Sequence, residues 1–586
     1  MTTNVYAGID IGSASVRAAT LDEHGTLLTV AEHGINKVEY ANAPGFVTQD
    51  AFEIWKAVKF CLKSAVEELK AQIPDFQVDG ISCAATCSLV VMKLSSSGTD
   101  LLEPYSVAPD KSNPSSNVVM WMDKRGNYSE TLGFSHPRLG GAFNPEMAIP
   151  KICSIIESAG DIQVSKLRFF DLHDFISFML CTNNRIETEG FSFDYHHLDD
   201  NEIGMGIDGS LKGFSKELLA SFGLKCIAAN DFQMVGRVEK RLKHKEHLPI
   251  PYAGCRIGKV NPDLAQEIGI RSTEKSHETY VGHGVIDSYG GWLSTSAAFP
   301  VQDGLASVVA GTSTCVIMTR SDSKSIEVGP KDGLWGPFLE LDKGLGVYEG
   351  GQAAAGLLID QIIKCHPAYP ELQSIMASHN TNAFQALEYV IEHYSTLHKN
   401  NFHYLTRNMF LYGDVAGNRT PLNDPQMTGS FIGMGTDNTL FDLASRYITG
   451  LEFLALQLWD IMRNFEVEKV VVSGSFAKNR RYLGLLAIIG KSIGHFSVFE
   501  SHHSKHEVAR GAALLGRCAS LSCNSIGESL ISLMKADKTI AFPVEEVESW
   551  EQTARILRAK YEIMLNMMES QRTYRHMIAS SLENPF

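Results

Sequence analysis

The sequence predicts an α/β protein of two related domains facing one another across a cleft. Three observations predict it. The chain has 586 residues, 44% hydrophobic and 20% charged, which is enough apolar material for more than one core. Short apolar runs alternate with helical stretches that carry a single apolar stripe. The pattern of strand, small hydroxyl-rich turn and strand occurs near the start of the chain and again in its middle, a weak internal duplication.

The elements follow in order. Val5–Ile11, Val16–Leu21 and Leu27–Ala31 are apolar runs separated by Gly12-Ser13-Ala14-Ser15 and Asp22-Glu23-His24-Gly25, an antiparallel meander. Asp50 with Glu53 three residues on reads as a capping box. Behind it, Ile54, Trp55, Val58, Leu62, Ala65, Val66 and Leu69 recur at helical spacing. A strand is expected at Gly80–Cys83, an exposed loop at Pro104–Asn117, and a strand at once after it in VVMWMD. The second half opens with Ala306–Ala310, the turn Gly311-Thr312-Ser313-Thr314 and the run Cys315–Met318, which puts the boundary between halves near residues 293–304. Residues 545–580 read as an amphipathic helix packing back on the second half.

Composition excludes several functions. A formal net charge of −15 argues against nucleic-acid or anionic-membrane partners, and the run Lys240–Lys245 is too short to offset it. Eleven scattered cysteines without a Cys-x-x-Cys pair suit reduced thiols. Charge interrupts every long apolar stretch, and no basic, apolar leader opens the chain, so a cytoplasmic location is expected.

Three turns carry candidate chemistry. Asp10, in GIDIGSAS, places a carboxylate at the end of a buried strand where it could hold a Mg²⁺–water cluster, with Gly12, Ser13 and Ser15 near a phosphate. AGTST at 310–314 offers Gly311, Thr312, Ser313 and Thr314 to phosphate oxygens. In VVVSGSFAKN, Gly474 lets a flat ring approach the backbone, with Ser475, Lys478 and Asn479 at the start of a helix. Each turn alone is equally what an ordinary hairpin or strand-to-helix turn provides; the set of three in order is informative.

The succession GIDIGSAS, WMDKR, GVIDSYGG, AGTST and VSGSFAKN resembles the FGGY carbohydrate kinases over roughly residues 5–520. ATCSLVVM, NPEMAIPK, FFDLHDF, LWGPF, EGGQAAAG and GNRTPLNDP are similar in particular to the D-ribulokinase and ribitol kinase branch. The resemblance implies a duplicated actin-like, ribonuclease-H-like fold: an N-terminal domain over 1–298 that binds sugar, a C-terminal nucleotide domain over 299–525, and a helical extension over 526–586. It implies ATP and Mg²⁺ as cofactors and a small sugar or polyol as partner, while composition does not distinguish a monomer from a homodimer. It makes Asp287 the catalytic base, which orients an acceptor hydroxyl and takes its proton. Trp121, Asp123 and Arg125 become sugar-binding residues, Asp10 the metal-binding residue, and Gly474, Ser475, Lys478 and Asn479 the adenosine motif. Glu349, Gly350 and Gly351 resemble a segment closing the hinge near the nucleotide.

The branch pattern is broken in four places. Ala84 stands where a carboxylate is usual, Lys124 where a histidine is usual, residues 186–200 replace a Thr-Cys-Lys-Trp segment, and Ser475 replaces a second glycine. The first three are expected on the sugar side, so the expected substrate is a D-ribulose-like ketopentose or a pentitol. The alternatives are a family kinase for xylulose, glycerol or another polyol, a nucleotide-binding regulatory pseudo-kinase, and an actin-like or chaperone-type ATPase.

Overall fold

The computed structural model describes residues 2–111, 113–125, 138–140, 143, 146–159, 164–186, 212–230, 232–236, 252–270, 278–297, 299, 304–320, 333–338, 341, 345–501, 506–523 and 541–583. The basic run 240–245, residues 187–200 of the departing segment, and residue 298 at the expected boundary lie outside them.

The meander is present as β1 (Thr3–Ile11), β2 (Ser15–Leu21) and β3 (Leu27–Gly34). β4 (Val38–Glu39) and β5 (Val47–Gln49) lead into helix α1 (Ala51–Gln72), which buries Ile54, Trp55, Val58, Leu62, Ala65, Val66 and Leu69 as their spacing requires. Its cap differs from the expected box. The Asp50 carboxylate accepts from Phe52 N, but the Glu53 carboxylate is taken by Asn36, whose Nδ2 donates to it at 2.6 Å.

The first half continues through β6 (Phe76–Ala85), β7 (Leu89–Leu94), β8 (Leu102–Pro104), β9 (Val118–Val119), α2 (Ala148–Ser158), β10 (Leu167–Asp171), α3 (Leu172–Thr182), β11 (Arg256–Lys259), β12 (Tyr280–Gly282), β13 (Val285–Ile286) and α4 (Asp287–Ser296). Of VVMWMD, only the first two residues are strand. The second half contains β14 (Leu305–Ala310), β15 (Thr314–Arg320), β16 (Trp335–Phe338), β17 (Gly346–Gln352), α5 (Ala383–His398), β18 (Phe410–Tyr412), β19 (Ser430–Ile432), α6 (Leu440–Met462), β20 (Lys469–Ser473), α7 (Arg480–Ile489), β21 (Ser497–Glu500), α8 (Glu507–Leu521) and α9 (Trp550–Glu583).

The duplication is explicit in the sheets. In the first, β1, β2 and β3 run antiparallel while β6 and β12 extend it in parallel from β1; in the second, β14, β15 and β17 are antiparallel while β20 and β21 extend it in parallel from β14. A further sheet, β10–β7–β9–β5–β4 with β8 on β7, belongs to the first half. Helix α9 returns onto the second half, burying Leu557, Tyr561, Met564 and Met567.

The halves exchange helices. α4 is continuous in sequence with the first sheet but also packs on β14, β15 and β20, whereas α8 follows the second sheet and lies on β1, β6 and β12 of the first. Residues 507–521, expected with the nucleotide domain, thus roof the first sheet. The crossing is made of glycine: a Cβ on Gly511 would stand 1.9 Å from the Gly290 carbonyl oxygen, and one on Gly80 would stand 1.9 Å from that of Gly516. Neither carbonyl can yield as a flexible side chain would, so backbone must move. Thr295 Oγ1 and Ser307 Oγ, 2.7 Å apart, satisfy each other within the same buried layer.

Gly511→Val is therefore expected to lower unfolding stability by about 3 kcal/mol, the upper range for overpacking, read as a lower denaturation midpoint. An unchanged midpoint would contradict the close crossing.

Candidate active site

The strand ends bring the chemistry together. Asp10 on β1 and Val285 on β13 both pair with Ala84 of β6, so Asp10 and Asp287, two residues beyond Val285, emerge on either side of one strand. Asp287 then occupies the first position of α4, its Oδ1 accepting from Ser288 N at 2.9 Å. Its carboxyl is pushed up to about 7, first by burial and then by the negative charges of Asp10 and Glu349, against a smaller opposing effect of Arg419. Burial also raises Asp10, although Arg17 Nη1 lies 3.1 Å from its Oδ2.

A cavity of about 230 Å³ opens beside Asp287. Ser13, Thr86, Cys87, Trp121 and Glu146 line it from the first half, and Gly311, Thr312, Ser313, Cys315, Trp335, Glu349 and Arg419 from the second. Trp121 Nε1–H donates to Ser13 Oγ at 2.9 Å, tying the WMDKR turn to the first phosphate-type turn. Gly12 N–H donates to the Ser15 carbonyl and closes that turn at 3.0 Å. In the second turn the carbonyls of Gly311 and Thr312 are occupied by the amides of Gly356 and Ala355, at 3.0 and 2.9 Å. Thr314 begins β15 and is buried.

Gly474 has φ +82, and a Cβ there would lie 2.4 Å from the Ala310 carbonyl oxygen, so the turn beside AGTST accepts only glycine. Ser475 opens a short 3-10 turn outside the left-handed region, which is why serine replaces glycine there without strain. Exposed Lys478 and buried Asn479 line a second, larger cavity of about 1020 Å³ with Phe384, Glu388 and Arg481. Asn479 is also structural: it caps α7 by accepting from Tyr482 N at 3.0 Å and donates to Tyr447 Oη at 2.8 Å.

The expected sugar-binding trio separates. Trp121 lines the cavity, but Asp123 and Arg125 are not among its lining residues. The Asp123 carboxylate is wholly buried, accepting from Val47 N at 2.7 Å and from Arg125 N, Nε and Nη2 at 2.9 Å, and Arg125 Nη1 donates to the Val107 carbonyl. The pair braces the turn from within. Two departures do not line the cavity: Ala84, paired with Asp10, is buried with its Cβ facing Gly290 of α4, and Lys124 is exposed. Close helix packing admits only a small side chain at Ala84.

Other residues take places at the cavity that the sequence did not assign them. Glu349, expected at the hinge, lines the cavity and accepts from Tyr289 Oη at 2.5 Å. Glu146 and Arg419 meet across the cleft; their motifs, NPEMAIPK and GNRTPLNDP, were the only signal. Lys151 Nζ donates to the carbonyls of Met120, Trp121 and Glu146 at 2.7–3.1 Å, pinning two cavity walls, and burial lowers it to about 8. His173, Asp174 and His283 converge like metal ligands, yet the Lys212 ammonium sits among them, 2.7 Å from Asp174 and 3.2 Å from each ring. That cation supplies the positive charge a metal would bring.

Comparison with known proteins now decides the family. Residues 5–94 match the N-terminal domain, and 306–520 the C-terminal domain, of the FGGY family of carbohydrate kinases. A D-ribulokinase of Saccharomyces cerevisiae is 32% identical over 88% of this chain and 72% of its own length. The chain belongs to the FGGY family of carbohydrate kinases. An FGGY carbohydrate kinase domain-containing protein of Homo sapiens is 27% identical over 97% of each chain. Among solved structures, a gluconate kinase and a xylulose kinase of Lactobacillus acidophilus, each 16% identical, superpose with TM-scores of 0.66 and 0.65 over 97% of this chain and 98% of theirs. The fold is thus the two-domain actin-like one, and the FGGY chain is an ATP-using phosphotransferase with an alcohol group as acceptor. No disulfide joins the eleven cysteines, and no helix among the described residues is long and apolar enough to cross a membrane.

Arg125→Met should cost about 3–5 kcal/mol of stability, the range for a buried charge left alone. The loss of stability should exceed any effect on acceptor KM of the folded remainder, which moves only through the Trp121 turn. Unchanged stability with a large rise in KM would place the pair on the substrate instead.

Proposed function

We propose that this kinase phosphorylates the terminal primary hydroxyl of a D-ribulose-like ketopentose or a pentitol, with Asp287 as the base. The observation that carries this reading is Asp287 itself: a buried carboxyl of pKa about 7, lining a small cavity between Trp121 and the 311–314 turn. The cavity is below the roughly 300–1,000 Å³ of drug-sized ligand sites, in keeping with a small acceptor. The likeness to a D-ribulokinase supports the choice of sugar.

In this mechanism the acceptor hydroxyl lies against Asp287, which orients it and accepts its proton at a carboxylate oxygen as the phosphoryl group arrives. Gly12, Ser13 and Ser15 from one half, and Gly311, Thr312, Ser313 and Thr314 from the other, hold the phosphates. Gly474, Ser475, Lys478 and Asn479 hold the adenosine, which extends toward the larger cavity. Trp121 and Trp335 exclude water from the transferring group. Positioning and fixed dipoles, rather than covalent chemistry, supply most of the acceleration.

Mg²⁺ fits this donor set. Asp10 and Asp287 are buried carboxylates, burial raising both and the charge of Asp10 raising Asp287 further, the arrangement of hard oxygens that a divalent cation relieves. Asp10 would hold it, and the cation would supply neutralisation of phosphate charge.

A coupled ADP-release assay across D-ribulose, ribitol, L-ribulose, D-xylulose and glycerol tests the reading. Turnover is expected on D-ribulose or ribitol and is lost in Asp287→Asn, which retains ATP binding. Because the base must be ionised, kcat/KM should fall as pH drops through the pKa of Asp287, about 7 in the free protein. Turnover retained by Asp287→Asn would remove the base assignment, and turnover confined to D-xylulose or glycerol would replace the sugar.

A further inference from the structure

Arg419 is the one lysine or arginine among the described residues lining the cavity, where it stands with Asp287, Glu349 and Glu146. Its Nη2 donates to Glu146 Oε2 at 2.9 Å, joining the second half to the first. Nη1 lies 3.7 Å from Cys315 Sγ and packs over Gly351, where a Cβ would approach it to 3.3 Å. Nε is buried and has no hydrogen-bond partner among the described residues.

The loop carrying Arg419 is built for rigidity. Asn418 exchanges backbone bonds with Asp424 at 2.8 and 2.9 Å, and its Nδ2 donates to Asp414 at 2.6 Å; Gln457 donates to the other Asp414 oxygen at 2.9 Å. Thr420 Oγ1 accepts from Gly351 N at 3.1 Å, and Arg575 of α9 pairs with Asp424 from outside. A satisfied buried network of this kind fixes a side chain in place before any ligand arrives. On the other side of the cleft, Lys151 fixes the Glu146 backbone through its carbonyl at 2.7 Å.

The α4–α8 crossing already joins the halves behind the cavity, so a desolvated ion pair in front of it adds little to folding. A guanidinium has five N–H donors and no acceptor, so donors beyond those on Glu146 and Cys315 remain for an acceptor-substrate oxygen in the cavity that Arg419 lines.

We propose that Arg419 binds the acceptor, bridging to Glu146 and offering an uncommitted N–H to a sugar oxygen, so that the acceptor site is assembled from both domains. The inference rests on the acceptor occupying this cavity.

The test is a double-mutant cycle of Arg419→Met and Glu146→Gln, with Arg419→Lys as the conservative variant, assayed on whichever acceptor of the panel the wild type turns over. Each single variant should raise acceptor KM about tenfold or more with ATP KM little changed, because a close buried charge pair is lost. The double variant should be no worse than Arg419→Met alone, and Arg419→Lys should recover part of the loss. Small-angle scattering without ligand should show both single variants more open than wild type. Additive effects, an unchanged acceptor KM, or wild-type scattering in Glu146→Gln would overturn the proposal. Glu146→Gln is isosteric and serves if Arg419→Met does not fold. A cycle that couples on xylulose or glycerol would remove the D-ribulose or pentitol reading and leave the tie standing; turnover of D-ribulose with uncoupled variants would do the reverse.

Discussion

The crossing of α4 and α8 is the constraint on which the site depends. Gly290 and Gly511 bring α4 against α8, and Gly80 and Gly516 bring β6 against α8, backbone to backbone with no side chain between. Asp287 starts the first of these helices, while Asp10 and the 311–314 turn end strands beneath them. A phosphoryl group and a hydroxyl must approach in line within a few tenths of an ångström. Rigid elements fixed by close contact provide that where loops would not.

The same economy of small residues explains one departure from the branch pattern. Ala84 lies under Gly290, where a larger side chain would separate the helix from the strand that aligns Asp10 with Asp287. Asp123 and Arg125 brace the Trp121 turn from inside, and Lys151 braces it from the other side through backbone carbonyls. The cavity wall is thus positioned by buried charges that do not line it.

Much of this was legible in the sequence, for physical reasons. Strand runs bounded by small-residue turns announced the meander and its repeat, because apolar alternation and glycine placement are local properties. The stripe from Ile54 to Leu69 gave its helix for the same reason. Asp287 was legible only through resemblance, since an aspartate at a strand end has many uses. What depended on contacts distant in sequence was hidden: the exchange of α4 and α8, the inward turn of Asp123 and Arg125, and the meeting of Glu146 with Arg419. Even the capping of α1 was altered by such a contact, Asn36 claiming the Glu53 carboxylate.

The central claim is that one cavity, walled by both halves, holds the acceptor hydroxyl against Asp287 and the γ-phosphate against the 311–314 turn. A crystal structure with D-ribulose and a non-hydrolysable ATP analogue tests it most directly. The account predicts a primary hydroxyl within hydrogen-bonding distance of the Asp287 carboxylate, with phosphate oxygens on the amides of Thr312 and Ser313. A sugar bound away from Asp287, or phosphates bound away from that turn, would contradict it.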